Sequence, residues 1–183
     1  MPLPNKALQQ TGLSVAPLPL APAAERRYVI QTSLEQMTGP DSSVTVRAFR
    51  SADRDQVERL WARVFPDDPP SNAPALLIDT KLRVQPELFL IAVADGAVVG
   101  AVMAGFDGVR GWIHHLAVSP DHRRRGIATA LVRAAESGLG RLGCPKVNLQ
   151  VRATNLDVLA FYRQLGYGVE DRVSMGRRLE GTG

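Results

Sequence analysis

Cysteine is almost missing from this sequence. Cys144 stands alone, so no disulfide can close within the chain and no cysteine-rich zinc site can be assembled. Long apolar runs are missing too. The longest, residues 88–94, falls far short of the roughly 20 residues that cross a bilayer. No basic, apolar, small-residue pattern opens the chain, so a cytoplasmic protein without membrane attachment is expected. The Gly-Lys-Ser/Thr ending of a nucleotide-triphosphate loop and the Gly-x-Gly-x-x-Gly dinucleotide fingerprint are both absent, which makes ATP and NAD poor fits. Acidic residues are outnumbered, with 18 Asp and Glu against 22 Lys and Arg, and the basic excess thickens at Arg123, Arg124 and Arg125. Such a balance suits nucleic acid, an acidic surface or a polyanionic small molecule. Only 5% of residues are aromatic and no recognition motif is present, so nucleic acid is the weakest of the three.

What remains is enough for one catalytic-sized domain and a tail. The 183 residues are 45% hydrophobic, sufficient for a single core. Residues 1–42, with Pro2, Pro4, Pro17, Pro19, Pro22 and Pro40 and no periodic apolar pattern, read as a disordered or loosely attached extension. Met37 is a candidate start of the natural product. Residues 43–183 form the domain. Val44, Val46 and Ala48 alternate as a strand. Asp53 then reads as an N-cap with Gln56 in the capping-box position, opening a helix over 53–65, and a second helix is expected over 73–84. Apolar runs at 88–94 and 97–104 flank Asp95-Gly96, a hairpin signal. A strand over 112–118, the arginine turn, and a helix carrying Ile127, Leu131, Ala135, Gly138 and Leu142 follow. Alternation at Val147, Leu149 and Val151 predicts another strand, the stripe Val158, Phe161, Tyr162 and Leu165 a helix, and 172–179 a last strand. The order is α+β.

The segment Arg123-Arg124-Arg125-Gly126-Ile127-Ala128 carries the chemistry. A strand that delivers a glycine-containing turn into a helix offers converging unpaired N–H groups backed by the helix dipole, which is an anion site. Gly126 and Ala128 lack bulk and let a pyrophosphate approach the backbone. Here the sequence resembles the GNAT superfamily of N-acetyltransferases, whose coenzyme motif, Arg/Gln-x-x-Gly-x-Gly/Ala, is matched by Arg123, Gly126 and Ala128. The segment Leu116-Ala117-Val118-Ser119-Pro120 is similar to the family's fourth strand and its exit. Asn155 and the run Phe161-Tyr162-Arg163-Gln164-Leu165-Gly166-Tyr167 are similar to its second coenzyme-binding block.

The resemblance covers residues 44–179 and implies a mixed, mostly antiparallel sheet of about six to seven strands, flanked by about four helices and splayed between the family's strands four and five. It implies acetyl-CoA as co-substrate, with no metal. The backbone of Leu116, Ala117 and Val118 would pair with the pantetheine amides. The N–H groups of Arg124, Arg125, Gly126, Ile127, Ala128 and Thr129 would hold the pyrophosphate, beside Arg123. Asn155 would touch the pantetheine arm, and Tyr162 would point at the sulfur and protonate the departing thiolate. The family often has glycine where this chain has Arg124. Asn155 also reads as an N-cap, and Tyr162 as one more member of the apolar stripe.

An amine attacks a thioester only when unprotonated, and a lysine-like amine titrates near 10.4, so a proton acceptor is needed. Strict alternation puts Trp112, His114 and Leu116 on one face of the strand and Ile113 and His115 on the other. If Leu116 borders the coenzyme, His114 is the better base, since imidazole titrates near 6.5. Asp67 and Asp68, between the first two helices, could draw in a cationic amine, or simply form a solvated turn. The expected function is acetyl transfer from acetyl-CoA to a primary amine of a small molecule or protein, by a monomer or homodimer. The competing readings are a noncatalytic acyl-CoA sensor of the same fold and a nucleic-acid-binding protein.

Overall fold

A computed structural model describes residues 37–38, 43–177 and 179, all within the unit Leu34–Gly183. The expected N-terminal extension lies outside the described residues, apart from Met37 and Thr38. Among the described residues the sheet has six strands in the order of the chain: β1 (Met37–Thr38), β2 (Val44–Ala48), β3 (Phe89–Ala94), β4 (Ala97–Phe106), β5 (Gly111–Val118) and β6 (Val147–Asn148). Neighbours are antiparallel except β5 and β6, which are parallel. Helices α1 (Arg54–Val64) and α2 (Pro74–Arg83) cover one face, α3 (Ile127–Arg141) and α4 (Leu156–Gln164) the other. No described helix is long and apolar enough to cross a membrane.

Each face has its own core. Val57, Leu60, Trp61 and Ile78 from α1 and α2 pack on Phe89, Ile91, Ala101, Met103 and Ala117. Leu131, Ala135 and Leu139 of α3 and Tyr162 of α4 pack on Leu90, Val102, Ala104 and Ile113. A strand covered on both faces must be apolar throughout, which is why β3 reads as a continuous run rather than an alternation. The Asp95-Gly96 hairpin forms as expected, with φ of 50° and 77° at the two residues, as a two-residue primed turn requires. Helix α3 lies close against the sheet at Gly100, where an added Cβ would meet Leu131 Cδ1 at 2.9 Å and Ile127 Cγ2 at 3.1 Å.

Four local expectations fail in whole or in part. Asp53 precedes α1 but makes no side-chain cap. Its carboxylate instead accepts from Arg47 Nη1 and Nη2, at 2.8 and 2.9 Å, and from the Arg50 N–H. Gln56 does not complete a capping box, because its Oε1 accepts from the Val98 N–H at 2.9 Å and so ties α1 to β4. The strand expected over 172–179 is absent among the described residues, and the one expected over 147–151 is only Val147–Asn148. The two shortfalls share a cause. With β6 ending at Asn148 there is no strand edge for the later segment to pair with, so Val173 and Met175 stay exposed. Side chains tie the segment instead, Lys146 to Glu170 and Gln150 Nε2 to Ser174 Oγ.

Candidate active site

The site is built around β5. Its pairing with β4 runs Phe106↔Gly111 to Met103↔His114 and resumes at Ala101↔Ala117, so His115 and Leu116 face Val102 alone across a β-bulge. His115 takes φ of 48° there. The extra residue breaks the alternation read from the sequence. His114 lies opposite Met103, on the α1/α2 face, and His115 contacts Trp61 and Phe65 on that same face. Leu116 and Val118 pack into the α3/α4 core. The expectation that His114 and Leu116 share a face, with His115 opposite, is therefore corrected: the two histidines are together and Leu116 is behind them.

The other edge of β5 is open. β6 pairs only with Gly111 and Trp112, so the backbone from Ile113 to Val118 has no strand beside it on that side among the described residues. Beyond β5, Ser119 is buried and its N–H donates to Val99 O at 2.8 Å, anchoring the turn. Arg124 and Gly126 adopt φ of 62° and 78°. Left-handed residues interspersed in such a turn aim successive N–H groups into one concavity. The first N–H of α3 with an acceptor is that of Ala130, on Gly126 O at 3.0 Å. The N–H groups of residues 124–129 have no acceptor among the described residues. These are the donors the sequence pointed to, and Gly126 is the N-cap of α3.

Tyr162 comes from α4, 7% exposed, its ring edge-on to Phe161 and Tyr167. Burial pushes its hydroxyl pKa up to about 12. Tyr167 Oη in turn donates to Glu136 Oε1 at 2.8 Å and fastens the end of α4 to α3. Asn155 is the N-cap of α4, its Oδ1 accepting from the Val158 N–H at 3.3 Å.

His114 stacks on Trp112 and is exposed. The protein around it, and the neighbouring His115 and Lys81, push its pKa down, so the ring is neutral at pH 7. Lys81 is held on the same face by the carbonyls of Val84 and Ala104, and loss of water lowers its pKa to about 8.

His115 is the residue whose surroundings the sequence did not disclose. Its Nε2 donates to Asp68 Oδ2 at 3.3 Å, a partner 47 positions away. Its ring lies 5.4 Å from that of Trp61 and 5.5 Å from that of Phe65. Asp68 was visible as half of an acidic pair, but nothing in the spacing tied it to a histidine. Arg152 Nη2, beyond β6, comes within 3.9 Å of Asp68 Oδ1.

Known proteins share this architecture. The model described as the acetyltransferase (GNAT) family matches residues 52–167. The chain is 43% identical over 134 residues to an acetyltransferase of Yersinia enterocolitica, covering 73% of this chain and 94% of that one. It is 44% identical over 135 residues to an acetyltransferase of Sodalis glossinidius, with the same coverage of 73% and 94%. Among solved structures, Ard1 from Thermoplasma volcanium is similar with a TM-score of 0.63 and 28% identity, over 70% of this chain and 84% of that one. The aminoglycoside N-acetyltransferase AAC(6')-Iy in complex with CoA is similar in fold, with a TM-score of 0.62 and 21% identity, over 74% and 94% of the two chains.

Proposed function

We infer the reaction from one premise: the chain belongs to the GNAT family of acetyltransferases. It is an acyltransferase, and its donor is acetyl-CoA, its acceptor a primary amine. The observation that carries the donor is the run of unpaired N–H groups at residues 124–129, at the end of a strand whose neighbouring edge is open. A pyrophosphate fits those donors, since the positive end of α3 lies behind them and Gly126 adds no side chain. The exposed edge of β5, at Leu116, Ala117 and Val118, suits the two amides of a pantetheine arm, which would add to the sheet as a strand does. Asn155, already spent on its cap through Oδ1, keeps its Nδ2 for that arm.

Acetyl-CoA supplies the activated acyl thioester. The chain's own residues handle protons. His114, neutral at pH 7, accepts a proton from the incoming ammonium directly or through water. Tyr162 remains a neutral phenol throughout the physiological range. It donates a hydrogen bond to the departing sulfur and passes the proton only as far as the same dry surroundings raise the thiolate's own affinity for it. Its contribution is therefore supportive rather than indispensable.

Calorimetry with acetyl-CoA, joined to a thiol-release screen over a panel of primary amines, tests the reading. Binding with thiol release is expected. Binding without release from any amine would favour the noncatalytic sensor, and no binding would overturn the donor assignment.

A further inference from the structure

Helix α4 ends at Gly166, whose φ of 94° turns the chain back on itself. The Gly166 N–H donates to Arg163 O and the Tyr167 N–H to Tyr162 O, both at 3.0 Å, the paired bonds that close a helix on a left-handed glycine. Tyr162 and Tyr167 stand at the two positions such a cap brings into contact, and their rings meet edge to face at 5.4 Å. Tyr167 is thus fixed to Tyr162 through backbone and ring alike. Its hydroxyl reaches out of α4 altogether: Oη donates to Glu136 Oε1 at 2.8 Å, while Arg133 Nη1 donates to the other oxygen, Oε2, at 2.9 Å. Burial and the Glu136 carboxylate hold the Tyr167 phenol above its usual range, so it stays a donor. Among the described residues no other hydrogen bond or ion pair joins residues 155–167 to another helix or strand. Glu136 belongs to α3, about 14 Å along its axis from Ile127 at roughly 1.5 Å per residue.

We propose that the Tyr167–Glu136 hydrogen bond is a clamp between α3 and α4 that aims the Tyr162 hydroxyl at the coenzyme sulfur, by fixing α4 against the helix whose first turn grips the pyrophosphate. Tyr167 and Glu136 are then positioning residues, acting through Tyr162. This role deepens the acetyl-transfer reading and rests on it, since a coenzyme held at both places spans the two helices. Apolar packing is non-directional and leaves a short helix free to roll on its neighbour. A hydrogen bond weakens steeply with angle, so the aim of Tyr162 needs a directional tie, and a short bond to a carboxylate supplies one.

Coenzyme A reports that aim without any acceptor. A hydrogen bond from Tyr162 stabilises the bound thiolate and lowers the thiol pKa, which is read from the NMR shift of the methylene carbon beside the sulfur in labelled coenzyme A, with protein in excess. Tyr162→Phe should raise that pKa by about one unit. Tyr167→Phe and Glu136→Leu should each raise it as well, whereas Glu136→Gln, which keeps an acceptor for Tyr167, should restore the parental value. Added to Tyr162→Phe, Tyr167→Phe should change nothing further. Coenzyme A affinity by calorimetry should stay within about threefold in every variant, because the donors at 124–129 are untouched. A parental pKa in Tyr167→Phe would overturn the clamp, and an unchanged one in Tyr162→Phe would leave it nothing to aim. A further rise in the double variant, or Glu136→Gln behaving like Glu136→Leu, would also overturn it. So would a roughly tenfold loss of affinity in Tyr167→Phe, since the bond would then hold the site together rather than aim one hydroxyl. Absence of coenzyme A binding in the parent is a separate outcome, which overturns the donor assignment and the clamp with it.

Discussion

Arg124 takes φ of 62°, a conformation that costs a side-chain-bearing residue about 1 kcal/mol or more relative to glycine. The turn tolerates that cost because residues on either side are fastened, Ser119 to Val99 and Ala130 to Gly126. Arg124→Gly removes the strain but loosens the unfolded chain, so stability should change by about 1 kcal/mol or less. Coenzyme affinity should fall less than tenfold, because no backbone donor is lost; calorimetry and thermal unfolding on the same sample check both. Gly126→Val, at φ of 78°, combines a β-branched side chain with the same left-handed backbone at the mouth of the concavity. It should abolish coenzyme binding. For Tyr162→Phe, the shape of the buried ring is kept, so the fold and coenzyme affinity should be unchanged while thiol release slows roughly 10- to 100-fold. A parental rate would remove Tyr162 from the reaction. His114 has a depressed pKa, so it is lost as a proton acceptor only when pH falls below its ordinary value of about 6.5. The acid limb of kcat/KM should lie there, and His114→Gln should erase that limb; a limb left intact points to another base.

At the level of elements, Gly100 fixes where the anion site stands. Helix α3 approaches β4 so closely there that a Cβ would press on both Ile127 and Leu131, and Ile127 is the first residue of that helix. Gly100→Val should cost about 2 kcal/mol by overpacking and weaken coenzyme binding by tilting the helix start, with denaturant midpoint and calorimetry as the readouts. Most elements were legible in the sequence because each carries a local signal: the stripe Val57, Leu60, Trp61 and Val64 for α1, Asp95-Gly96 for the hairpin, and Asn155 for the start of α4. The anion turn was legible for the same reason, since glycine and a following helix are neighbours in the chain. The bulge at His115 was not, because one inserted residue leaves no compositional mark, yet it moves every later side chain of β5 to the opposite face. The partners of Asp53, Gln56 and Asp68 were equally hidden. Each has a sound local role by sequence, and each is diverted by a group that only the fold brings near.

At the scale of the whole molecule, a half-buried ion pair links the first long strand to the start of the helical layer. Asp53 is 5% exposed and accepts two bonds from Arg47. Those bonds hold its carboxyl below the usual range, helped by the Arg50 N–H and opposed by burial. Because the folded chain releases this proton more readily than the unfolded one, the stabilisation is complete above the unfolded value of about 3.9 and is lost as pH falls through the folded one. Asp53→Asn strands Arg47 and should cost about 3 kcal/mol at pH 7. Urea unfolding at a series of pH values should show the variant losing less stability than the parent on acidification below about pH 4; parallel curves would mean that the pair does not govern acid stability. The join between β5 and β6 has a different consequence. Among the described residues, two residue pairs are all the strand pairing that joins the antiparallel part of the sheet to β6, so under a pulling load the backbone there would part like a seam with two stitches. A molecule lying along the open edge of β5 would sew that seam further and raise the force at which it tears.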